Sequence, residues 1–249
     1  MPNGRFFDRI GKVHFIIMPR FFVDGQPENG VLVLQGEDAH HAGRVLRLRP
    51  GEAVTLCDGK GTDYDCTVER FDKDAVICCV HDCHPTDTEP KQRLTLFMAL
   101  PKGDKMEWIV QKAVELGVSN IVPYLSKNCV SRPDKTDKKV ERWRKIAAEA
   151  AKQCGRGVLP TVGAVIPVGQ AIAQAAQSET ALFLYENERQ TGLRDALAAG
   201  VGKDVSLLVG PEGGFAPEEA EAARQAGLKS VSLGTRILRC ETAPVAALA

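Results

Sequence analysis

Short apolar runs, separated by turn residues, fill the first third of the chain. The clearest runs lie at 31–34, 53–57, 65–69 and 75–79. Pro50-Gly51 and Asp58-Gly59 supply turn signals between them. Several short strands at this spacing are typical of a small β-barrel. We therefore predict a barrel domain over residues 18–90. It follows an N-terminal extension, residues 1–17, which we expect to be disordered or to reflect an upstream start codon.

Beyond residue 90 the pattern changes, because apolar runs of strand length alternate with amphipathic stretches at helical spacing. Strands are predicted at 94–100, 121–124, 181–186, 205–209 and 231–233. Helices are predicted from Asp104, whose spacing to Glu107 has capping-box form, over 137–154, and from Pro217 to a stop at Gly227. The alternation predicts an α/β domain over residues 91–249 with a parallel sheet.

The amino-acid composition limits the class of protein but does not by itself indicate a function. The 249 residues are 44% apolar and 26% charged, which is an ordinary globular balance. Basic and acidic residues are equal at 32 each, so only their distribution is informative. Residues 127–156 hold ten Lys and Arg against four Asp and Glu, whereas residues 179–249 hold seven against ten. The middle of the chain is therefore the favoured nucleic-acid face.

The eight cysteines do not show the spacing of a secreted disulfide framework. Residues 78–84, CCVHDCH, raise the possibility of zinc, but no second ligand pair is apparent. We therefore expect no metal. No signal peptide is evident, and no apolar run approaches the roughly 20 residues of a membrane span. We expect a cytoplasmic protein with reduced thiols and no membrane partner.

Two loops that follow predicted strands begin with glycine, at Gly210 and Gly234. Ligands of parallel sheets bind outside the carboxyl ends of the strands, where glycine lets the backbone approach closely. Neither loop has the spacing of a dinucleotide or P-loop motif, and Glu212 would repel a phosphate. A neutral or cationic ligand fits better. The alternative is that these glycines only form tight strand-to-helix turns.

The motifs GPEGGF at 210–215 and LGTRILRCETA at 233–243 resemble the C-terminal signature of the RsmE family of SPOUT methyltransferases. HHAGRVLRLRPGE at 40–52 and KGDKMEW at 102–108 are similar to further parts of that family, so the resemblance spans residues 18–249. Cys240 stands where the family usually has Thr or Ser. The resemblance implies a SPOUT-type α/β domain with a deep trefoil knot, preceded by a PUA-like β-barrel that binds RNA.

The resemblance also implies function. Family members use S-adenosylmethionine (SAM) to methylate N3 of a uridine in 16S ribosomal RNA of the small ribosomal subunit. They form homodimers through the C-terminal knot and need no metal. Two alternatives stay open: methylation of another RNA site or base, and a knotted RNA-binding protein without catalysis. The substrate is expected to be either naked 16S rRNA or the assembled subunit.

The implied cofactor site follows the two glycine loops, where mainly backbone atoms would hold SAM. Its expected members are Leu184, Leu208, Val209, Gly210, Pro211, Glu212, Gly213, Leu233, Gly234, Ile237, Leu238, Arg239 and Thr242. Uracil N3 carries a proton at neutral pH, so the site must remove it or stabilise the anion. Arg239 is the candidate to stabilise charge on a uracil oxygen. Glu212 is either a general base, if burial raises its pKa, or an orienting residue.

Candidate RNA contacts lie in both predicted domains. They are Arg20, His40, Arg44, Arg47, Lys102, Gln153 and Arg156. His40, Arg44 and Arg47 would share one face of a predicted short helix over 38–49. A capping or core role for His40 and a merely solvated position for Lys102 are the alternatives. Because a paired uracil hides N3, the target must be unpaired or flipped.

Overall fold

The computed structural model describes residues 18–130, 136–198 and 200–249, together with two short strands before residue 18. Those strands, β1 (Arg5–Phe7) and β2 (Val13–Phe15), pair antiparallel. The rest of the predicted N-terminal extension lies outside the described residues. The chain divides into two compact units, residues 1–87 and residues 88–249. The predicted boundary stood at residue 90.

The first unit contains a five-stranded sheet and one short helix. Its elements are β3 (Arg20–Phe22), β4 (Val31–Gln35), α1 (Gly36–His40), β5 (Ala53–Cys57), β6 (Thr62–Phe71) and β7 (Ala75–Pro85). The strand order is β3-β5-β6-β7-β4, with β3 parallel to β5 and the other pairs antiparallel. No ladder joins β3 to β4 in the described part of the unit, so the sheet is not a fully hydrogen-bonded barrel. Side chains from all five strands and α1 nevertheless form one core, including Phe21, Leu34 and Leu56.

The predicted helix over 38–49 is shorter and less regular than its pattern indicates. α1 ends at His40 and continues as a π-helical turn over His41–Val45. Arg47 then has a φ of 57°, in the left-handed region. His40 and Arg44 are exposed on the helical turns, but Arg47 lies beyond them, so the prediction of one shared helical face was wrong for Arg47.

The second unit is an α/β domain. Its elements are β8 (Arg93–Ala99), α2 (Lys105–Glu115), β9 (Asn120–Leu125), α3 (Thr136–Cys154), β10 (Thr161–Val162), β11 (Ile166–Pro167), α4 (Val168–Ala175), β12 (Thr180–Leu184), α5 (Leu193–Leu197), β13 (Asp204–Val209), α6 (Pro217–Gln225), β14 (Lys229–Val231) and α7 (Thr242–Leu248). The sheet order is β10-β9-β8-β13-β12-β14, and β11 also pairs with β9. Every pairing described in this sheet is parallel, as predicted for this half. The central strands are buried on both faces, which their unbroken apolar runs require.

Helices α2 and α3 pack through the apolar stripes that their sequences predict. Met106, Ile109 and Val110 are buried on α2, while Val140 and Trp143 are buried on α3. These stripes leave the charged faces of both helices toward solvent. Of the helices that the structure describes, none combines the length and apolar character needed to cross a bilayer.

The start of α2 differs from the predicted capping box. The Asp104 side chain makes no capping hydrogen bond. The Glu107 carboxylate instead accepts a bond from Arg142 Nη2 on α3 at 2.8 Å. The capping-box prediction was therefore wrong, because a tertiary ion pair takes the carboxylate that the box would use.

Strand order determines where the glycine loops meet. β12 lies between β13 and β14, so the carboxyl ends of all three strands lie at one edge of the sheet. β14 ends at Val231, two residues before the predicted end of that strand, and this leaves Leu233 and Gly234 in the loop beyond. The loops after β13 and β14 are therefore separated by a single strand.

Candidate active site

A cavity of about 600 Å³ lies at the carboxyl ends of β12, β13 and β14. Both glycine loops line it, as the sequence predicts. The predicted residues that line it are Leu184, Val209, Gly210, Pro211, Glu212, Gly213, Leu233, Gly234, Ile237, Leu238 and Arg239. Two predicted cofactor residues do not. Leu208 is fully buried within β13, and Thr242 begins α7 one residue before the lining Ala243.

Several lining residues were missed by the sequence analysis. The polar ones and the additional glycine are Tyr185, Glu186, Arg189, Ser232, Gly214, Arg236 and Cys240. Tyr185, Glu186 and Arg189 follow β12, whose carboxyl end was predicted to face the same crevice. The rule that ligands bind at strand ends therefore carried the signal for these three residues. Arg236 lies inside the LGTRILRCETA motif itself.

Glycine is required where the loop after β13 approaches its neighbours. Gly214 has a φ of 64°, and a Cβ there would collide with the Glu186 carboxylate. At Gly213, a Cβ would come within 3.1 Å of the Asn128 Cβ. Side chains at these positions would push the loop away from its supports, so the two glycines leave peptide groups facing the cavity.

The loop after β9 holds the glycine loop from behind. Asn128 Nδ2 donates to the carbonyl oxygens of Gly213 at 3.1 Å and Gly214 at 3.2 Å. The fully buried Tyr124 hydroxyl donates to the Val209 carbonyl oxygen at 2.9 Å. Because these bonds fix carbonyl groups at the end of β13, the cavity wall is pre-formed around the peptide backbone.

A second support comes from the buried carboxylate of Glu219 on α6. It accepts hydrogen bonds from Ser126 Oγ at 2.9 Å, the Lys127 amide at 2.8 Å and the Ala216 amide at 3.0 Å. Charge-assisted bonds of this kind satisfy a buried carboxylate without a cation. They join the start of α6 to the loop after β9, next to the glycine loop.

Glu212 is held as an ionised carboxylate. Its Oε1 accepts a bond from Lys105 Nζ at 3.0 Å and another from the Lys102 amide at 3.1 Å. Burial alone would raise the pKa of Glu212, but these hydrogen bonds outweigh it and lower the pKa below its usual value. The general-base interpretation required a raised pKa, so the structure favours the orienting role for Glu212.

Three arginines that line the cavity are left open to a ligand. Arg189, Arg236 and Arg239 are exposed, and their guanidinium groups make no ion pair or hydrogen bond to any side chain that the structure describes. The carboxylates of Glu186 and Glu212 lie in the same wall. Such a site offers acceptors to a cationic centre and donors to a carboxylate, a phosphate or a developing oxyanion.

The predicted RNA contacts have different environments. In the first unit, His40, Arg44 and Arg47 are exposed. The Arg20 guanidinium is largely buried and bound to Asp63, so Arg20 does not present a free cation. In the second unit, Lys102 and Gln153 are exposed, Lys102 beside Glu212 and Gln153 near the end of α3.

Arg156 requires a correction, because its side chain cannot reach RNA. The residue is only 3% exposed. Its guanidinium forms a two-bond ion pair with Glu89 and donates to the carbonyl oxygens of Val118 and Val114. The backbone amides of residues 157 and 158 bind the same Glu89 carboxylate. Arg156 is therefore a buried structural residue.

The possible metal ligands of the CCVHDCH segment lie apart along β7. Cys78 is buried, whereas Cys83 and His84 lie on the exposed end of β7. The possible ligands are therefore divided between the buried part and the exposed end of this strand. Across the residues that can be described, no group of three His, Cys, Asp or Glu side chains could hold a metal ion.

Comparison with known proteins places the chain in a family. Residues 88–249 match a family model described as an RNA methyltransferase domain, and residues 34–78 match an RNA methyltransferase PUA domain. The ribosomal RNA small subunit methyltransferase E of Bacillus subtilis (strain 168) is 34% identical over 242 residues, covering 93% of this chain and 94% of that protein. Its counterpart in Mycobacterium tuberculosis is 33% identical and covers 92% of this chain and 88% of that protein.

A solved structure agrees with these matches over both units. The crystal structure of a ribosomal RNA small subunit methyltransferase E from Neisseria gonorrhoeae, bound to S-adenosyl methionine, has a TM-score of 0.84 at 34% identity. It covers 93% of this chain and 95% of that chain. The resemblance read from the two C-terminal motifs is thus confirmed along nearly the whole sequence. This protein belongs to the ribosomal RNA small subunit methyltransferase E family.

Proposed function

We propose that this protein transfers the methyl group of SAM to N3 of a uridine in 16S ribosomal RNA. One observation carries the proposal. Both glycine loops line a single cavity that also contains the exposed guanidinium of Arg239. Family membership supports SAM as the methyl donor and ribosomal RNA as the acceptor. The choice of N3 and of uridine rests on the resemblance of the C-terminal motifs.

The cavity residues fit SAM. A volume of about 600 Å³ lies within the range of small-molecule sites. Peptide groups of the Gly210–Gly214 loop suit the hydrogen-bonding edges of adenine, and carboxylates at Glu186 and Glu212 suit a ligand with an ammonium and a sulfonium. Leu184, Val209 and Leu238 supply apolar contact. When bound, SAM would supply an electrophilic methyl group, which passes to uracil N3 while the sulfur leaves as a neutral thioether. This in-line displacement depends chiefly on alignment.

Arg239 is the proposed catalytic residue. Its guanidinium can donate two hydrogen bonds to a uracil carbonyl oxygen as the N3 proton is lost and negative charge spreads onto that oxygen. Glu212 is the proposed orienting residue, because Lys105 and the Lys102 amide hold its carboxylate. The N3 proton then passes to solvent or to an RNA group.

RNA binding is proposed for both units. In the first unit, exposed His40, Arg44 and Arg47 provide side chains for phosphate contacts. In the second unit, Lys102 and Gln153 are the remaining candidates, since Arg156 is buried. A ribosomal RNA substrate implies a cytoplasmic location, where the eight cysteines stay reduced.

A deep trefoil knot and a homodimer complete the proposal. The meeting of the loops after β13 and β14 at one edge is compatible with a C-terminus threaded through a knot. α7 contacts α2 and carries small residues at Ala243, Ala246 and Ala247, which permit close helix packing between two copies. Sedimentation equilibrium tests the dimer, and a crystal structure traced through residues 200–249 tests the knot.

The direct test of the reaction uses tritiated SAM and small subunits from cells that lack this protein. We expect tritium in the RNA, and we expect digestion to nucleosides to release it as 3-methyluridine. Tritium in another nucleoside would show that the methylated base is not the proposed uracil. Tight RNA binding without tritium transfer would instead identify a non-catalytic RNA-binding protein. Naked 16S rRNA, assayed in parallel, distinguishes the two substrate forms.

A further inference from the structure

Lys105 joins the two loops of the cavity from outside. Its Nζ lies 3.0 Å from Glu212 Oε1 and 3.1 Å from Glu241 Oε2. Glu212 belongs to the loop after β13, whereas Glu241 lies directly before α7, at the end of the loop after β14. One ammonium group therefore bridges two loops that belong to different strands of the sheet.

The local sequence gives no reason for a lysine at this position. Lys105 is the first residue of α2, where the positive end of the helix dipole disfavours a cation. Two carboxylates from distant parts of the chain offset that cost. A residue that is unfavourable locally and satisfied by long-range partners is typical of a functional site.

The charges of the cluster depend on one another. Without Lys105, two carboxylates would face one another and repel. The hydrogen bonds that Lys105 donates to Glu212 and Glu241 raise the pKa of Lys105, and the pKa values of both carboxyl groups are lowered despite their partial burial. The three groups are thus a stable triad of one cation and two anions. All three side chains are about one-quarter to one-third exposed, so solvent only partly screens them.

We propose that Lys105 is a positioning residue that holds the Gly210–Gly214 loop and the Leu233–Glu241 loop at the spacing that SAM requires. This inference rests on the proposed function, since it assigns SAM to the cavity. Lys105 does not line the cavity, so it acts through Glu212 and Glu241. Its ammonium is occupied by two carboxylates and is not available to RNA phosphates.

The test compares Lys105→Gln with a matched control on the same helix. Lys112→Gln also removes a lysine paired to a carboxylate, but that partner is Glu115 of α2 itself. SAM affinity is measured by calorimetry without RNA, and RNA affinity by filter binding. We expect Lys105→Gln to weaken SAM binding by about tenfold or more, as the loss of charge-assisted bonds implies. We expect RNA affinity to stay unchanged and Lys112→Gln to match the wild type.

Two further variants show whether charge bridging is the cause. Lys105→Arg keeps the cation and should recover most of the SAM affinity. Glu241→Gln removes one arm of the triad and should weaken SAM binding even if Lys105→Gln fails to fold. An unchanged SAM affinity in both Lys105→Gln and Glu241→Gln would overturn the proposal, as would a loss of RNA affinity alone in Lys105→Gln. Failure of the wild type to bind SAM would contradict the proposed function itself, so the two failures are distinguishable.

Discussion

Arginine side chains at the two ends of the same parallel sheet have opposite environments. Before the amino ends of β8 and β9, Arg156 is buried and bound to Glu89 and two backbone carbonyls. Beyond the carboxyl ends of β13 and β14, Arg239 is exposed and has no ion-pair partner in the described residues. One guanidinium joins segments of the fold together, while the other is left open to a ligand.

The contrast follows from how parallel sheets use their ends. Residues at the amino ends of strands commonly stabilise the fold, whereas loops at the carboxyl ends bind ligands. The sequence analysis assigns a functional role to both arginines, so residue type alone does not separate the two roles. Burial and the identity of the hydrogen-bond partners do.

The largest expected effect is on stability, from Arg156→Met. The variant leaves the Glu89 carboxylate without its cation, and removing one partner of a buried ion pair costs about 3–5 kcal/mol. Urea denaturation measures the loss. The matched control is Arg142→Met, which breaks the exposed pair with Glu107 and should cost at most about 1 kcal/mol. Equal stabilities for the two variants, with RNA affinity lost only in Arg156→Met, would return Arg156 to an RNA role.

At the other end of the sheet, Arg239→Ala should greatly lower activity without unfolding the protein. Removing a donor that stabilises developing negative charge lowers kcat by about 100–1000-fold. SAM affinity, measured by calorimetry, should fall little, because mainly backbone atoms hold the cofactor. A large loss of SAM affinity with a proportionate loss of activity would instead make Arg239 a cofactor residue.

A smaller effect, on stability and SAM binding, is expected from Gly214→Ala. This variant tests whether the loop after β13 contacts the ligand. A side chain at a φ of 64° costs about 1–3 kcal/mol, and its Cβ meets Glu186. We expect lower stability together with weaker SAM binding. Gly227→Ala is the control, because Gly227 has a φ of 93° with no neighbour within 4 Å of an added Cβ. It should lose stability alone. Equal SAM affinities in both variants would place the ligand away from Gly214.

The smallest expected effect is on the pH dependence of stability, through Glu89 at the amino end of the sheet. Burial favours a neutral Glu89, but the bonds from Arg156 and the backbone amides outweigh burial and lower the pKa of Glu89 below 4.5. Its ionised form therefore stabilises the fold fully above pH 4.5, and this contribution is lost as pH falls through the lowered pKa. The stability gap between the wild type and Glu89→Gln should narrow in acid. A gap that widens as pH falls would contradict the lowered pKa.

Much of the second unit is predictable because its buried strands have unbroken apolar runs. The predicted strand 205–209 is seen as Asp204–Val209, and the predicted helix 137–154 as Thr136–Cys154. Elements with short or weak patterns, such as α4 and α5, have no such signal. The π-helical turn after α1 is likewise hidden, since a π-turn and an α-turn share the same residue types.

The sequence predicts the location of the site better than it predicts the roles of the side chains there. The rule for strand ends and the glycines together predict that residues 210 and 234 meet at one edge. The local sequence does not show that Arg156 is buried, because its partners include Glu89, 67 residues away in sequence. Nor does it reveal that Lys105 holds Glu212, which settles the direction of the Glu212 pKa. Such long-range contacts cannot be predicted from the local sequence pattern.

The central claim is that this protein methylates 16S rRNA in the cavity at the carboxyl ends of β12, β13 and β14, where Arg239 is exposed. Methyl marks on this RNA can be mapped in cells that lack the protein and in cells complemented with the wild type or with Arg239→Ala. The account predicts that one 3-methyluridine disappears in the deletion, returns with the wild type and stays absent with Arg239→Ala. An unchanged set of methyl marks in the deletion, or full recovery with Arg239→Ala, would contradict it.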